Sequence, residues 1–106
     1  MKAISSRQAK AHAITPTVKL IVTRRDGGRC VYCGAPGLPE AHYISRKRGG
    51  LGVPQNILTL CRDCHELYDH GDRLKRDGMR EFFADYFKSH YEDWSEDALV
   101  YHKEGL

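Results

Sequence analysis

The sequence predicts a small domain of the α+β class. Its 106 residues are enough for one modest hydrophobic core. Two Cys-x-x-Cys pairs enclose residues 34–60, which contain two short runs typical of strands. Helical patterns lie on both sides of this central stretch, the longest at residues 79–91.

The composition excludes several classes of protein. With 41% hydrophobic and 29% charged residues, the chain is expected to fold rather than remain disordered. No apolar run approaches the roughly 18 residues that a membrane helix needs. The N-terminus, with Lys2, Arg7 and Lys10, lacks the apolar core of a signal peptide. We therefore expect a cytoplasmic protein, whose reduced cysteines favour metal binding over disulfides.

The charges are distributed unevenly along the chain. Residues 1–50 contain ten lysines and arginines but only Asp26 and Glu40 as acids, whereas residues 51–106 contain seven basic and twelve acidic side chains. A basic half of this kind suits a polyanionic partner such as nucleic acid. A soluble protein with uneven charge is the alternative that composition alone leaves open.

The first part of the chain is predicted to be an arm followed by a helix. Residues 1–14 show no strong periodicity and are interpreted as an N-terminal arm that nucleic acid could order. Thr15 suits an N-cap and Pro16 the first helical position, and the run 26–28 should end the helix. The apolar residues that share one face of this helix are Val18, Ile21 and Val22.

The central stretch is predicted to contain two strands and a helix. Residues 38–45 and 57–60 are typical of strands, and a further strand is considered at residues 29–32. The loop 46–52 is predicted to be flexible, with glycines that admit a phosphate and cations that neutralise it. A helix is expected over residues 62–70, ended by the glycine that follows.

The last third is predicted to be mainly one amphipathic helix. A charged connection at residues 72–77 precedes apolar and aromatic residues at helical spacing over 79–91. The simplest interpretation is that this face packs over the core. Ser95 suits the N-cap of a short last turn, and residues 99–101 are considered as an edge strand.

The two cysteine pairs indicate a structural zinc site. Each pair can supply two thiolates from one turn, and four thiolates complete a tetrahedron with bonds of about 2.3 Å. Such a closed site leaves no position for a substrate and would stabilise the fold. Disulfides and a redox-active pair are the competing interpretations. The four cysteines are Cys30, Cys33, Cys61 and Cys64.

A set of polar residues lies between and beside the cysteines, and its order resembles a known family. His42, Asn56 and His65 follow one another in the chain, with Gly49-Gly50 in between and the second His directly after the last cysteine. This pattern resembles the HNH endonuclease family, in particular its zinc-containing branch, over roughly residues 15–70. The small size also looks like compact HNH proteins of phages and prophages.

The resemblance implies a ββα-metal fold, also called a His-Me finger, in which two strands and a helix hold one divalent cation. His42 would be the general base that takes a proton from water, and Asn56 would brace the loop and orient it. His65 would bind the catalytic cation. Asp69, one helical turn later on the same face, matches a second ligand in some members. The cation would be Mg²⁺, Mn²⁺, Ni²⁺ or Zn²⁺.

The chain departs from the family pattern at Ala41, where members usually have an Asp or His that binds the metal. Glu40 is a weak substitute, because an ideal strand turns it to the other face unless a bulge intervenes. His65 could instead replace a cysteine at zinc, and Asp69 could be an ordinary solvated charge. His70 is an alternative ligand, about 100° away on the helix.

The resulting functional prediction is a metal-dependent DNA endonuclease. The basic residues Arg46, Lys47 and Arg48 would contact DNA phosphates. The domain organisation expected is an arm (1–14), a zinc-stabilised nuclease core (15–75) and a C-terminal helix with its tail (76–106). Either a monomer that nicks DNA or a homodimer that cuts both strands is compatible with the sequence.

Two other functions are considered. The first is an inactive zinc-containing module that binds DNA or protein, a hypothesis that Ala41 favours. The second is an interaction protein that contacts phage packaging proteins through the aromatic helix 79–91. Three further histidines have no partners by spacing and are interpreted as structural: His12, His90 and His102.

Overall fold

The structure is a computed structural model that describes residues 10–101. Most of the predicted N-terminal arm (residues 1–9) and His102 lie outside the described residues. Helices α1 (Pro16–Asp26), α2 (Arg62–His70) and α3 (Arg73–His90) surround a two-stranded antiparallel sheet. Its strands are β1 (Leu38–His42) and β2 (Ile57–Leu60). The predicted α+β class is confirmed.

Helix α1 begins and ends where the sequence predicts. The Thr15 side chain accepts a hydrogen bond from the backbone of Val18 at 3.2 Å, and the helix ends at Asp26, just before Gly27. The buried face, however, matches only part of the apolar set that spacing indicated. Val22 is fully buried whereas Ile21 is 44% exposed, and the face that meets the sheet continues through two charged residues at the end of the helix.

These two charged residues, Arg25 and Asp26, form a buried ion pair between α1, β2 and α3. The Arg25 guanidinium donates to both carboxylate oxygens, at 2.7 and 3.0 Å. It also donates to the carbonyls of Pro54 and Ile57 at 2.7 and 2.6 Å. Asp26 accepts from the backbone N–H of Thr59 at 3.0 Å. One pair of adjacent side chains therefore joins three elements.

Strand β1 is shorter than predicted and contains a bulge. It ends at His42 rather than at residue 45, because the side chain of Asn56 takes the place of a strand partner beyond that point. Leu38 pairs with Leu60 but Ala41 pairs with Leu58, so two residues of β1 lie opposite one of β2. The further strand considered at residues 29–32 does not form, and only an isolated bridge joins Arg29 to Pro36.

Helix α3 begins earlier than the sequence predicted, at Arg73 instead of residue 79. The Asp72 side chain caps it by accepting from the Lys75 N–H at 2.9 Å. Gly78 lies inside the helix, where glycine costs only about 1 kcal/mol relative to alanine and does not end it. The helix therefore crosses the predicted division at residue 75.

The core lies between the sheet and α3. Met79, Phe83 and Phe87 of α3 are fully buried, and the Phe83 ring lies edge-on to Tyr68 of α2, with centroids 5.0 Å apart. The C-terminal turn Glu96–Leu99 packs against the same helix through Leu99. Within residues 10–101, no helix is both long and apolar enough to cross a membrane.

Both ends of the described chain pack on the loop 46–52. Residues 46–48 form a turn of 3-10 helix, and the Tyr101 N–H donates to Gly49 O at 2.8 Å. On the other side, the Gly52 N–H donates to Ala11 O at 2.9 Å. The predicted edge strand at 99–101 is limited to one bridge between Gly50 and Val100.

We expect Asp26→Asn to lower the free energy of unfolding at pH 7 by about 3–5 kcal/mol, because it leaves the buried Arg25 without its counter-ion. Burial alone would raise the pKa of Asp26, but the bonds from Arg25 and Tyr86 lower it below 3.8. The stabilisation is therefore present above 3.8 and is lost as the pH falls through the folded value.

Urea unfolding of both proteins from pH 7 to pH 3 checks this prediction, and their difference should shrink in acid. The control is Asp77→Asn, which removes an exposed carboxylate whose Arg73 partner is 3.8 Å away. We expect that control to change stability by less than about 0.5 kcal/mol. Equal stability of Asp26→Asn and the native protein at pH 7 would contradict the role of the pair.

Candidate functional site

The four cysteines converge on one point at the edge of the sheet. Their sulfur atoms all lie within 4.8 Å of one another, and those of Cys33 and Cys61 are 3.6 Å apart. Cys30 and Cys64 are buried, and none of the four forms a disulfide. A tetrahedral zinc with bonds of about 2.3 Å requires sulfur atoms about 3.8 Å apart. The donor set and its spacing therefore fit the predicted zinc.

The electrostatics of the cluster also suit a cation. Burial raises the pKa of Cys64, and the neighbouring cysteines raise it further. Burial acts in the same direction on Cys30, yet backbone N–H groups of residues 61 and 33 lower its pKa to about 7. Because the neighbouring cysteines oppose the ionisation of Cys64, a positive charge at the centre of the cluster would favour its thiolate form.

The cysteine cluster also fixes the start of α2. Cys61 is the N-cap of this helix, and its sulfur accepts a hydrogen bond from the Cys64 N–H at 3.4 Å. His65 and Asp69 project from the first and second turns of the same helix. Whatever orders the cysteines therefore also orders these two side chains.

His42, the predicted general base, is partly buried at the end of β1. Its Nε2 lies 2.9 Å from the carbonyl oxygen of His12. Because a carbonyl can only accept, Nε2 carries the hydrogen, and the neutral ring has its lone pair on Nδ1. Burial lowers the pKa of His42, the His12 carbonyl opposes this shift, and the charge of Arg46 adds to it.

Asn56 is fully buried and braces the segment that follows His42. Its Oδ1 accepts from the Ile44 N–H at 2.8 Å, and its Nδ2 donates to Ile44 O at 3.1 Å and Leu51 O at 2.9 Å. In addition, the Tyr43 N–H donates to Asn56 O at 2.7 Å. The amide joins both ends of the loop 46–52, so the geometry is that of a loop brace next to the predicted base.

His65 and Asp69 lie side by side on α2, as their spacing predicted. The His65 Nε2 is 3.3 Å from the Asp69 Oδ2, and both side chains are partly exposed. The charge of Asp69 also acts on His42 and raises its pKa, so the pair and the predicted base share one region. An imidazole and a carboxylate this close are a suitable donor pair for a divalent cation.

The position before the predicted base provides no ligand. Ala41 is fully buried in the hydrophobic core, and its methyl group offers no atom that could bind a metal. Glu40 is exposed, pairs with Lys19 at 3.6 Å and lines a cavity of about 430 Å³ together with Arg62 and His65. In the described range 10–101, the cysteines alone form a group of three or more ligands within 4.8 Å.

The three basic residues of the predicted nucleic-acid contact are exposed and consecutive. Arg46, Lys47 and Arg48 form the 3-10 turn that follows the His42 strand, and the charge of Arg46 reaches His42. A phosphate bound to this turn would therefore lie near the histidine.

Sequence reasoning missed His12, which was interpreted as structural and without partners. It is buried, its Nδ1 lies 2.8 Å from Gly50 O, and its carbonyl is the partner of His42. No motif reveals this contact, because a backbone carbonyl leaves no signature in residue type. The closely spaced Gly49, Gly50 and Gly52 are the available signal that another segment approaches the loop.

Comparison with solved structures finds chains of similar fold. The chain is similar to the Type IV phosphorothioation-dependent restriction endonuclease ScoMcrA, with a TM-score of 0.58 and 24% sequence identity. The match covers 82% of this chain but only 23% of that protein, and it supports the fold alone. No curated protein matches the sequence.

The family comparison concerns the segment that contains the site. The sequence model of the HNH endonuclease family matches residues 30–71, from the first cysteine to the end of α2. This segment contains the four cysteines, both strands and the His42, Asn56 and His65 set. Residues 30–71 of this chain are therefore similar in sequence to the HNH endonuclease family.

Proposed function

We propose that this chain is a metal-dependent endonuclease that hydrolyses phosphodiester bonds in DNA, with His42 as the general base. The observation that carries the proposal is the orientation of His42 inside the HNH segment. Its Nε2–H is engaged by a carbonyl, its Nδ1 is left to accept a proton, and Arg46 and Asp69 are its charged neighbours.

The chemistry divides among the residues of the site. His42 Nδ1 takes a proton from water, whose oxygen attacks phosphorus, and the bond to the 3′ oxygen breaks. The 3′ oxygen then takes a proton from solvent, and His42 returns its proton to solvent. The products are a 5′-phosphate and a 3′-hydroxyl. The lowered pKa keeps the imidazole neutral near pH 7, as a base requires. Arg46, Lys47 and Arg48 bind the flanking phosphates and position the strand.

His65 and Asp69 would hold the divalent cation, with Glu40 as a third candidate across the cavity. When bound, Mg²⁺, Mn²⁺, Ni²⁺ or Zn²⁺ would neutralise phosphate charge and stabilise the departing oxygen. The four cysteines would hold a separate structural zinc, whose thiolates remain reduced in the cytoplasm. The two sites differ in chemistry because thiolates select zinc whereas imidazole with carboxylate is less selective.

One observation favours a second function. Ala41 is buried where family members place a ligand, which is compatible with a binding module that has lost its catalytic cation. The other alternative, an interaction protein acting through the aromatic helix, has less support. Of the three phenylalanines of this helix, Phe83 and Phe87 are fully buried in the core and Phe82 is exposed.

We expect His42→Ala to reduce cleavage of supercoiled plasmid by at least about 10²-fold, because general-base catalysis contributes about 10²–10⁴. His65→Ala should have a comparable effect through loss of the cation. The control is His90→Ala, which removes an exposed histidine of α3 and should retain activity. Each protein is assayed with Mg²⁺, Mn²⁺, Ni²⁺ and chelator, with DNA binding measured in parallel.

If the native protein binds DNA but does not cleave it with any of these ions, the binding module replaces the nuclease. Cleavage that His42→Ala leaves intact would assign the base to another residue. The same plasmid assay separates nicked from linear product, and therefore a single-strand cut from a double-strand cut.

We expect one tightly held zinc per chain, lost in Cys33→Ser together with the folded state of the HNH segment. Metal analysis and circular dichroism measure the two effects. Tyr32→Phe, inside the same Cys-x-x-Cys pair, keeps all four thiols and should retain the zinc. A disulfide between any of these cysteines in the native protein, detected by mass spectrometry, would contradict the zinc site.

Substituting glutamine for Arg46, Lys47 or Arg48 should weaken DNA binding and make it less sensitive to salt. Each lost phosphate contact lowers the slope of log affinity against log salt by about 0.9. Lys88→Gln, an exposed charge near the end of α3, is the matched control. An unchanged slope in all three loop variants would move the DNA contact to another surface.

A further inference from the structure

Residues 10–13 connect the loop 46–52 to the predicted base. The carbonyl of Ala11 accepts from the Gly52 N–H at 2.9 Å. The buried His12 ring places its Nδ1 2.8 Å from Gly50 O, and the main-chain carbonyl of the same residue lies 2.9 Å from His42 Nε2. His12 is therefore bonded in two directions, through its side chain to the loop and through its backbone to His42.

The loop contains glycines where other backbone comes close. A Cβ on Gly52 would lie 2.0 Å from the Ala13 carbonyl oxygen, far inside contact distance. A Cβ on Gly50 would lie 1.7 Å from Ile44 O. Any other residue at either position would push these segments apart. The sequence thus permits the N-terminal segment to lie against the loop that follows the base.

The two hydrogen bonds fix hydrogen positions on both histidines. Gly50 O can only accept, so His12 Nδ1 carries a hydrogen and donates it. His12 O can only accept, so His42 Nε2 donates in turn. The Tyr101 ring, near the other end of the described residues, packs against the His12 ring, with centroids 5.9 Å apart. Loss of the His12 ring would free the segment that supplies the carbonyl.

We propose that His12 is a positioning residue: its ring anchors the N-terminal segment to Gly50, and its carbonyl holds His42 with Nδ1 free to accept a proton. The inference rests on the proposed function, because it assigns a task to the same base. His12 touches neither water nor DNA in this role. It acts through the tautomer and orientation of His42.

The test compares His12→Ala with His12→Asn in the full chain. The amide nitrogen of asparagine can occupy the place of Nδ1 and donate to Gly50 O, whereas alanine cannot. We expect His12→Ala to lower kcat for plasmid cleavage by about 10–100-fold, since small displacements of a catalytic group have effects of that order. KM should change less than about twofold, and His12→Asn should recover most of kcat.

A second readout does not depend on activity. In ¹⁵N-histidine correlation spectra, His42 should be the Nε2–H tautomer in the native protein and in His12→Asn, and a mixture of tautomers in His12→Ala. Gly52→Ala displaces residues 10–13 while both histidines stay in the sequence. It should therefore give the same spectra as His12→Ala. It also provides the test if His12→Ala does not fold. His90→Ala, on α3, is the control and should match the native protein.

The outcomes separate the two proposals. If His12→Ala and Gly52→Ala retain native kcat and the native His42 tautomer, the positioning role is overturned while the nuclease remains. If the native protein cleaves nothing, the proposed nuclease fails, and the spectra still decide about His12. A tautomer that changes in both variants supports the role, and one that stays fixed overturns it.

Discussion

The buried pair of Arg25 and Asp26 closes the open edge of the two-stranded sheet that residues 10–101 form. β2 faces β1 on one side, and on the other it exposes the backbone groups of Ile57 and Thr59. Arg25 donates to Ile57 O, Asp26 accepts from the Thr59 N–H, and the Val31 N–H donates to Thr59 O. Two side chains and one loop residue thus replace a third strand, without which a two-stranded sheet is marginal in water.

The residues at the two ends of β2 position the candidate site. Asn56, at the start of β2, braces the loop after His42, and the cysteines at the end of β2 fix the start of α2. The proposed base therefore belongs to a strand and the candidate ligands to a helix. This division explains how residues distant in sequence share one region although the domain is small.

The parts predicted correctly from sequence are those whose signals are local. The cysteine pairs, the cap at Thr15 and the spacing of His65 and Asp69 depend on neighbours a few residues apart. The parts that were missed depend on distant partners. Arg25 lies on a helix face that its polarity assigns to solvent, and its burial follows from Asp26 and the carbonyls of β2. His12 was missed for the same reason, since its partners are the backbone of Gly50 and the ring of His42.

Because position 41 is an alanine, the protein supplies fewer metal ligands at the proposed catalytic site than at the cysteine site. A carboxylate at this fully buried position would be surrounded by the hydrophobic core, which is unfavourable without a partner. The proposed cation would then have His65, Asp69 and Glu40 as candidate ligands, and water or phosphate would complete its shell. A site that takes several ligands from its substrate binds metal weakly alone and more tightly with DNA, and by linkage DNA should bind more tightly with metal. The proposed zinc site, with four thiolates of its own, would have no such dependence.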